Sequence, residues 1–181
     1  SGGADMNIGF AWAGATCDIT GCTQPECFNY NPNANVEDNA SCVCPPSNDD
    51  CANATPIGCG ITVSGTTINA SLDPSAVSCD AGIAITSPGV WYTFIGTGDL
   101  VNLNTCTNTG IDSKIHVFTG NCTTPVCVTQ NDDGCGAGEF TSSISFTAIN
   151  GLAYYVLVSE FGTFGDGIDF DLSVECVECV S

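Results

Sequence analysis

The stretch Val90–Cys135 reads VWYTFIGTGDLVNLNTCTNTGIDSKIHVFTGNCTTPVCVTQNDDGC. It contains four short segments that are rich in β-branched and aromatic residues or alternate between apolar and polar ones, namely Val90–Ile95, Leu100–Thr105, Lys114–Thr119 and Val126–Gln130. Gly, Asn, Asp and Thr, which are common in turns, separate these segments. Short strands at this spacing, with turn residues between them, predict a β-sandwich or a β-barrel.

The same pattern continues on both sides of this stretch. Four further segments have the composition of strands: Ile61–Ser71, Ser142–Thr147, Ala153–Ser159 and Ile168–Glu175. No segment keeps a helical period over a convincing length. In the strand Lys114–Thr119, alternation puts Ile115 and Val117 on one face, and Lys114, His116 and Phe118 on the other. The sequence therefore predicts an all-β, disulfide-rich, jelly-roll-like sandwich of eight to nine strands.

Composition divides the chain into three parts. Residues 1–16 carry one charge and an isolated apolar segment, Ile8–Trp12, and are expected to form an extended N-terminal arm. Residues 17–47 are rich in Cys and Asn, poor in apolar residues, and end in a short Pro-rich linker, so disulfides must hold this module. Residues 48–181 contain the predicted sandwich.

Charge and motif content exclude several classes of function. The 181 residues include 20 acidic residues and a single Lys, with no Arg, which excludes nucleic-acid binding through phosphate contacts. No apolar run is long enough to insert into a membrane. The one histidine, His116, lies in the middle of a predicted strand, and neither a nucleophile elbow nor a phosphate-binding loop is present. We expect a protein that is not an enzyme.

The chain has 14 cysteines, an even number and a fraction typical of a disulfide scaffold. Disulfides persist in oxidising compartments, so the chain is expected to be extracellular, at the cell surface. The spacing alone leaves the connectivity open. Candidate pairs in the predicted sandwich are Cys122–Cys127, Cys59–Cys79 and Cys106–Cys135.

The loops of the central stretch contain a candidate calcium site. Calcium binds six to eight oxygen atoms, mainly from carboxylates and carbonyls on flexible loops. A hairpin would bring the acidic and amide residues to one end of the sandwich, and the candidate ligands are Asp112, Asn131, Asp132, Asp133 and Glu139. The alternative is that these side chains cap turns and remain solvated.

A second candidate metal loop lies in the Cys-rich module, with oxygen donors at Asn29, Asn31, Asn33, Glu37 and Asp38. The loop is not an EF-hand, because Ala34 and Ala40 occupy the positions that require Gly and Glu, and Pro32 interrupts it. A calcium site of another kind and a turn capped by Asn side chains remain the two alternatives.

Residues 21–42, GCTQPECFNYNPNANVEDNASC, resemble a short repeat of secreted bacterial surface proteins, of the form GCTxxxxCNYxPxAxxxxxSC. The resemblance implies a disulfide between Cys22 and Cys42, and it makes Cys27 and Cys44 the natural second pair. Cys17 is then left over.

The larger part resembles a secreted bacterial sandwich module similar to the pre-peptidase C-terminal domain, and is distantly CUB-like. The motifs that carry this resemblance are NDDCANATPI (48–57), PGVWYTF (88–94), IDSKIHVFTGNC (111–122), CVTQNDDGCG (127–136) and LAYYVLVSEF (152–161). Such modules are non-catalytic accessory domains of extracellular proteins, which implies a binding or structural role. These 181 residues contain no catalytic domain beside the module, so the chain as it stands is not expected to be the accessory module of an enzyme.

Two kinds of residue suggest glycan chemistry. The sequence N-x-S/T occurs at Asn39, Asn53, Asn69 and Asn121, which would be glycosylated in a host that has the machinery. Exposed aromatic rings bind sugars, and the candidates are Trp91, Tyr92, Phe94, Tyr154 and Tyr155. Most of these rings lie in predicted strands, and packing in the core is the favoured interpretation for Trp91, Phe94 and Tyr155.

These observations favour a repeating subunit of a surface fibre or pilus-like filament. The arm of one subunit would add a strand to the next, with Ile8, Phe10 and Trp12 filling pockets at alternate positions. A head-to-tail contact that does not close produces a filament of identical copies. Cys17 or Cys179 would be available for a disulfide between subunits. The alternative is a calcium-dependent adhesive or carbohydrate-binding surface module.

Overall fold

The computed structural model describes residues 18–73, 79, 83–162 and 165–178. It contains two compact units, one ending at Cys44 and the other beginning at Pro45. We call residues 18–44 the stapled unit and the second unit the sandwich. The predicted arm, with Ile8, Phe10 and Trp12, lies outside the described residues, as do Cys17 and Cys179.

The described residues form eleven strands and two short 3-10 turns, Asn39–Ser41 and Cys51–Asn53. The strands are β1 (Thr20–Gly21), β2 (Val36–Glu37), β3 (Thr55–Pro56), β4 (Ile61–Thr66), β5 (Gly89–Ile95), β6 (Leu100–Asn104), β7 (Ser113–Asn121), β8 (Thr124–Asn131), β9 (Ser143–Thr147), β10 (Ala153–Glu160) and β11 (Asp169–Val177). Within the described ranges, no helix is long and apolar enough to cross a membrane.

The sandwich has two sheets, a five-stranded sheet in the order β3-β5-β10-β7-β8 and a four-stranded sheet in the order β4-β11-β6-β9. If β4 to β11 are counted as strands 1 to 8, these orders are 2-7-4-5, with β3 added at the edge, and 1-8-3-6. This is the strand order of a jelly roll. The prediction of an all-β, disulfide-rich sandwich is confirmed.

Each of the eight segments predicted between residues 61 and 175 overlaps one of these long strands. The largest difference is at Ile61–Ser71, where β4 ends at Thr66. The chain turns there, since Asn69 has a φ of 64°, in the left-handed region that Asn tolerates. The sequence did not predict β1, β2 or β3, which have two residues each.

The core lies between the two sheets, and alternation decides which side chains enter it. Ile115 and Val117 of β7 are fully buried in this core, as the sequence predicted. Fifteen further buried residues complete the cluster of seventeen: Ile57, Val90, Tyr92, Phe94, Val101, Leu103, Ile144, Ala148, Tyr154, Val156, Val158, Ile168, Phe170, Leu172 and Val174. Burial on this scale is the main source of stability for a domain of this size.

The outer face of the five-stranded sheet is also buried. Trp91, Phe118 and Leu157 pack there with Cys51. Residues 83–87 run across this face, where Lys114 Nζ donates a hydrogen bond of 2.8 Å to the carbonyl oxygen of Ala84. His116 Nε2 lies 3.0 Å from the carbonyl oxygen of Ile83. The predicted division of β7 into two faces is therefore correct, and residues 83–87 cover the outer one.

Six disulfides join the described cysteines: Cys22–Cys42, Cys27–Cys44, Cys51–Cys122, Cys59–Cys176, Cys79–Cys127 and Cys106–Cys135. The first two are the pairs implied by the resemblance to the surface repeat, and the last is one of the candidate pairs from the sequence. The other two candidates, Cys122–Cys127 and Cys59–Cys79, are wrong.

The strand register explains both corrections. Cys127 lies opposite Phe118. It is three residues along β8 from Thr124, which pairs with Asn121 next to the hairpin turn. At about 3.3 Å per residue this puts Cys127 roughly 10 Å from Cys122, which is farther than a disulfide spans. Ile61 of β4 is opposite Val174 of β11, so Cys59 reaches Cys176, two residues farther along that register.

The stapled unit has almost no core. Its strands β1 and β2 form two parallel residue pairs. Among its described side chains, only Cys22 and Cys27 are buried, whereas Phe28 is 65% exposed. The two disulfides, rather than apolar burial, hold this segment together.

Candidate functional site

Three aspartates meet at one end of the sandwich. Asp112 immediately precedes β7, and Asp132 and Asp133 immediately follow β8. These strands are antiparallel neighbours, with Ile115 opposite Asn131, so the start of β7 lies beside the end of β8. One carboxylate oxygen from each of Asp112, Asp132 and Asp133 lies within 4.8 Å of the others. We call these three residues the acidic site.

Buried hydroxyl groups form the floor of this site. The Ser142 hydroxyl lies 2.5 Å from the carbonyl oxygen of Ser113 and 2.6 Å from that of Asp132. Thr105 Oγ1 and Ser113 Oγ are 2.8 Å apart, and both accept hydrogen bonds from the backbone N–H of Ser142. All three hydroxyl residues are buried. Buried polar networks that are fully paired are rigid, so the backbone under the aspartates is fixed.

The loop after β8 is held in place from two sides. The backbone N–H groups of Gly134 and Cys135 both donate to the carbonyl oxygen of Thr141. The disulfide Cys106–Cys135 ties the loop to the end of β6. A Cβ atom at Gly134 would collide with the Asn131 side chain and the Ser143 backbone, so glycine is required for this close approach.

Two carboxylate oxygens of the acidic site have no hydrogen-bond partner. Asp112 Oδ1 and Asp132 Oδ1 are buried as atoms and unpaired. Burial raises the pKa of Asp112, and the charges of Asp133 and Glu160 raise it further, while Lys114 opposes the shift. Burial and the charges of Asp133 and Asp112 likewise raise the pKa of Asp132, again against Lys114. The site therefore concentrates negative charge that its own hydrogen bonds do not neutralise.

Lys114, the chain's only Lys or Arg, neutralises this charge only in part. Its ammonium group donates to Ala84, and Nζ lies 5.4 Å above the ring of Phe161. Burial lowers the Lys114 pKa, whereas the charges of Asp132 and Asp112 raise it. Asp112 and Asp132 thus share one ammonium group that already donates to Ala84, and a cation would complete the site.

The structure brings together only part of the predicted ligand set. Asn131 Oδ1 accepts a 3.0 Å hydrogen bond from the Ser143 N–H, so this oxygen supports the loop. Glu139 is exposed and is not among the acidic groups that cluster here. The sequence did not predict Phe140 and Phe161, which line a cavity of about 250 Å³ together with the three aspartates. Both phenylalanines are more than half exposed.

This arrangement suits calcium better than a transition metal. Carboxylate oxygens are hard ligands, and calcium accepts several of them in irregular geometry, with water or a ligand in the remaining positions. The other cluster of potential metal ligands among the described residues is Cys22, Cys27 and Cys42. Those three sulfur atoms are in disulfides, so they are not available as thiolates.

The second predicted metal loop looks like a set of capped turns. Asn29 Oδ1 accepts from the Val43 N–H at 2.8 Å, and Asn31 Oδ1 accepts from the Asn33 N–H at 3.0 Å. Neither Glu37 nor Asp38 belongs to a cluster of three acidic groups among the described residues. Two of the five oxygens predicted as ligands, those of Asn29 and Asn31, therefore accept hydrogen bonds from backbone N–H groups.

The candidate sugar-contacting rings are mostly in the core. Trp91, Tyr92, Phe94 and Tyr154 are buried, and Tyr155 is half-buried. Three of the four glycosylation candidates, Asn53, Asn69 and Asn121, have exposed side chains. The side chain of the fourth, Asn39, lies outside what the structure describes.

No protein-family model matches the sequence, and no curated protein is similar to it. Among solved structures, the fold is similar to that of a periplasmic inhibitor of g-type lysozyme from Aeromonas hydrophila. That structure is 10% identical, with a TM-score of 0.43 over 68% of this chain and 96% of the other. A second similar structure is CorA, a surface-associated copper-binding protein of Methylomicrobium album. It is 12% identical, with a TM-score of 0.44 over 68% of this chain and 98% of the other.

Proposed function

We propose that the chain is the repeating subunit of an extracellular filament, assembled head-to-tail when residues 1–16 of one copy add a strand to a sheet of the next. The observation that carries this proposal is that the sandwich is open. Among the described residues, its two sheets end in four edge strands, β3, β8, β4 and β9, and do not close into a barrel. An unpaired sheet edge is a template for a strand from another chain.

The six disulfides support a location outside the reducing cytosol. A subunit exposed to proteases also benefits from the composition, because trypsin cleaves after Lys and Arg and the chain has one such residue. That residue, Lys114, is 1% exposed. His116 is 0% exposed and lies beneath residues 83–87, which is a poor position for a catalytic base.

Within this proposal, the acidic site has a structural role. A calcium ion held by Asp112, Asp132 and Asp133 would join the loop before β7 to the loop after β8. It would also satisfy the two unpaired carboxylate oxygens. Calcium would thus stiffen one end of each subunit.

Deletion of residues 1–16 tests the filament proposal. The full chain, purified without reductant, should form regular filaments in negative-stain images, and the shortened chain should remain as single particles. The control is the full chain at the same concentration with residues 1–16 present but Asp5 replaced by Asn, which should assemble normally. A shortened chain that still forms filaments would refute strand addition by the arm.

A calcium-dependent adhesive or carbohydrate-binding module is the second candidate. The observation that favours it is the position of Phe140 and Phe161, whose exposed rings flank the three aspartates in one cavity. A bound calcium ion can coordinate sugar hydroxyl groups, and an aromatic ring can pack against the apolar face of the sugar.

A glycan array distinguishes the two candidates. Binding that requires calcium and disappears in Phe140→Ala and Phe161→Ala would support the adhesive module. Absence of binding in calcium-loaded protein that forms filaments would leave the structural subunit as the function.

A further inference from the structure

We infer that the outer edge of β4 (Ile61–Thr66) is the surface that accepts residues 1–16 of a neighbouring copy. The inference rests on the proposed function, and it adds the acceptor strand and its register. Among the described residues, β4 pairs only with β11, so the opposite edge of β4 lacks a backbone partner.

The four sheet edges differ in how well they are protected. Proteins protect edges with short strands, proline, bulges, charges or covering segments. β3 has two residues and ends in Pro56. β8 contains Pro125, and its pairing with β7 has an irregularity at Val117/Phe118.

The third edge, β9, is partly covered because Asn131 Oδ1 accepts a hydrogen bond from the Ser143 N–H. β4 has six residues, with the sequence ITVSGT, and none of them is charged or proline. Its pairing with β11 is regular over the whole strand. Within the part of the chain that the structure describes, β4 is therefore the least protected edge of the sandwich.

The hydrogen bonds to β11 identify the backbone groups that remain free on β4. Thr67 N–H donates to the Ile168 carbonyl, so Thr67 and Ile168 form a hydrogen-bonded pair. In an antiparallel ladder such pairs alternate with non-bonded ones, so residues 61, 63 and 65 bond to β11. The N–H and C=O groups of Thr62, Ser64 and Thr66 then point to the outer edge, where an added strand would bind.

The side chains at this edge suit an apolar, uncharged strand. Val63 faces inward and packs against the core but remains half-buried, and Ile61 is 38% exposed. A strand beside β4 that presented apolar side chains at alternate positions would cover both. Residues 8–12 have this pattern, with Ile8, Phe10 and Trp12 separated by Gly9 and Ala11. Neither this segment nor β4 carries a charge that would oppose pairing.

Proline substitution tests the edge without breaking the sandwich. In Ser64→Pro the lost N–H is one that points to the free edge, where proline is tolerated. The matched control is Ser145→Pro on β9, whose N–H also points away from its sheet partner, since Thr105 N–H bonds to Ser142 O in that ladder. The Ser64 substitution also removes the side-chain hydrogen bond to Asp171, and the Ser145 substitution removes the one from Asn102. The two variants therefore lose the same number of these exposed side-chain hydrogen bonds.

Ser64→Pro should reduce the fraction of protein in filaments at least about tenfold, because an inter-subunit hydrogen bond is lost and the ring obstructs the edge. Ser145→Pro should assemble like the wild type. Filaments of Ser64→Pro at the wild-type level would overturn the inference while leaving the filament itself established. Loss of filaments in Ser145→Pro alone would make β9 the acceptor edge.

Hydrogen exchange of the unmodified full chain gives a result even if Ser64→Pro fails to fold. The backbone amides of Thr62, Ser64 and Thr66 should be protected in filaments, whereas the amide of Ser145 should exchange quickly. Filaments with unprotected β4 amides would overturn the acceptor edge alone. A monomeric wild type would refute the filament, and protected β4 amides in such a monomer would mean that β4 pairs within one copy, which also overturns the inference.

Discussion

The stapled unit and the sandwich are both rich in disulfides, but different forces stabilise them. In the stapled unit, the two disulfides close short loops, with sequence separations of 20 and 17 residues, and only cysteines are buried among its described side chains. In the sandwich, four disulfides are added to a core of seventeen buried residues. The separations there range from 29 to 117 residues.

The difference shows that a disulfide has two distinct uses. Cross-links reduce the entropy of the unfolded chain, and this is the main stabilisation available to a segment without a core. In the sandwich, apolar burial already favours one fold, so disulfides add to its stability and fix loops such as the one beside the acidic site. Four experiments test this contrast, in order of decreasing expected effect.

Removal of the two short disulfides should unfold the stapled unit completely. In a variant with Cys22, Cys27, Cys42 and Cys44 replaced by Ser, backbone amides of residues 18–44 should lose their protection from hydrogen exchange. The sandwich strands should keep theirs. In the matched control, Cys106→Ser with Cys135→Ser, the sandwich should stay folded and its free energy of unfolding should fall by about 3–4 kcal/mol. Persistent protection in residues 18–44 of the first variant would contradict the contrast.

A cavity in the core should destabilise only the sandwich. Leu103 is 0% exposed, and Leu103→Ala should lower the free energy of unfolding of this unit by about 2–5 kcal/mol. Phe28→Ala, at a side chain that is 65% exposed in the stapled unit, should change stability by less than about 0.5 kcal/mol. Denaturant titration with a probe in each unit measures both effects. A large loss in Phe28→Ala would reveal a second core.

Calcium should stabilise the sandwich and leave the stapled unit unchanged. At a concentration of 100 times the dissociation constant, a bound ion adds about 2.7 kcal/mol to the free energy of unfolding. Asp132→Asn keeps the size of the side chain but removes a charge, and it should weaken calcium binding in calorimetry at least about tenfold. Glu139→Gln, outside the cluster, and Asp38→Asn, in the stapled unit, should bind like the wild type. Equal losses in all three variants would indicate nonspecific binding to a negative surface.

The smallest effect should be a pH dependence of the calcium-free sandwich. The pKa values of Asp112 and Asp132 are raised above 3.8 in the folded state, so folded protein binds protons more tightly than unfolded protein. Stability from these groups therefore increases as pH falls through their raised pKa values, and the gain is complete below about 3.8. Calcium binding should weaken over the same range, because protons compete for the carboxylates.

A comparison with one variant isolates this effect from that of His116. Burial lowers the pKa of His116 below 6.5, so protonation of His116 destabilises the fold as pH falls and opposes the aspartates. Thermal melts of the wild type and Asp112→Asn should therefore be compared at each pH without calcium. The wild type should gain stability relative to the variant on acidification, and parallel pH profiles would contradict the assignment.

Local sequence patterns predicted the long strands well. Alternation in Lys114–Thr119 correctly separated Ile115 and Val117 from His116 and Phe118, because side chains alternate strictly along a strand. The expected hairpin also placed Asp112 close to Asp132 and Asp133, as the structure does. It did not identify Asn131 as a loop support or find Phe140 and Phe161, because these depend on how the loops after β8 and β10 fold over the site.

The sequence by itself determined the class of fold, the reliance on disulfides and the concentration of carboxylates. Composition and the alternation of apolar and polar residues along a strand can both be read from the sequence without knowing which segments pack together. Only the tertiary structure decided the jelly-roll strand order, the pairing of Cys59 with Cys176 and the position of β4 at the end of its sheet among the described strands. Each of these depends on which strands lie side by side. Packing between segments that are far apart in the chain makes that choice, and local sequence patterns contain no information about it.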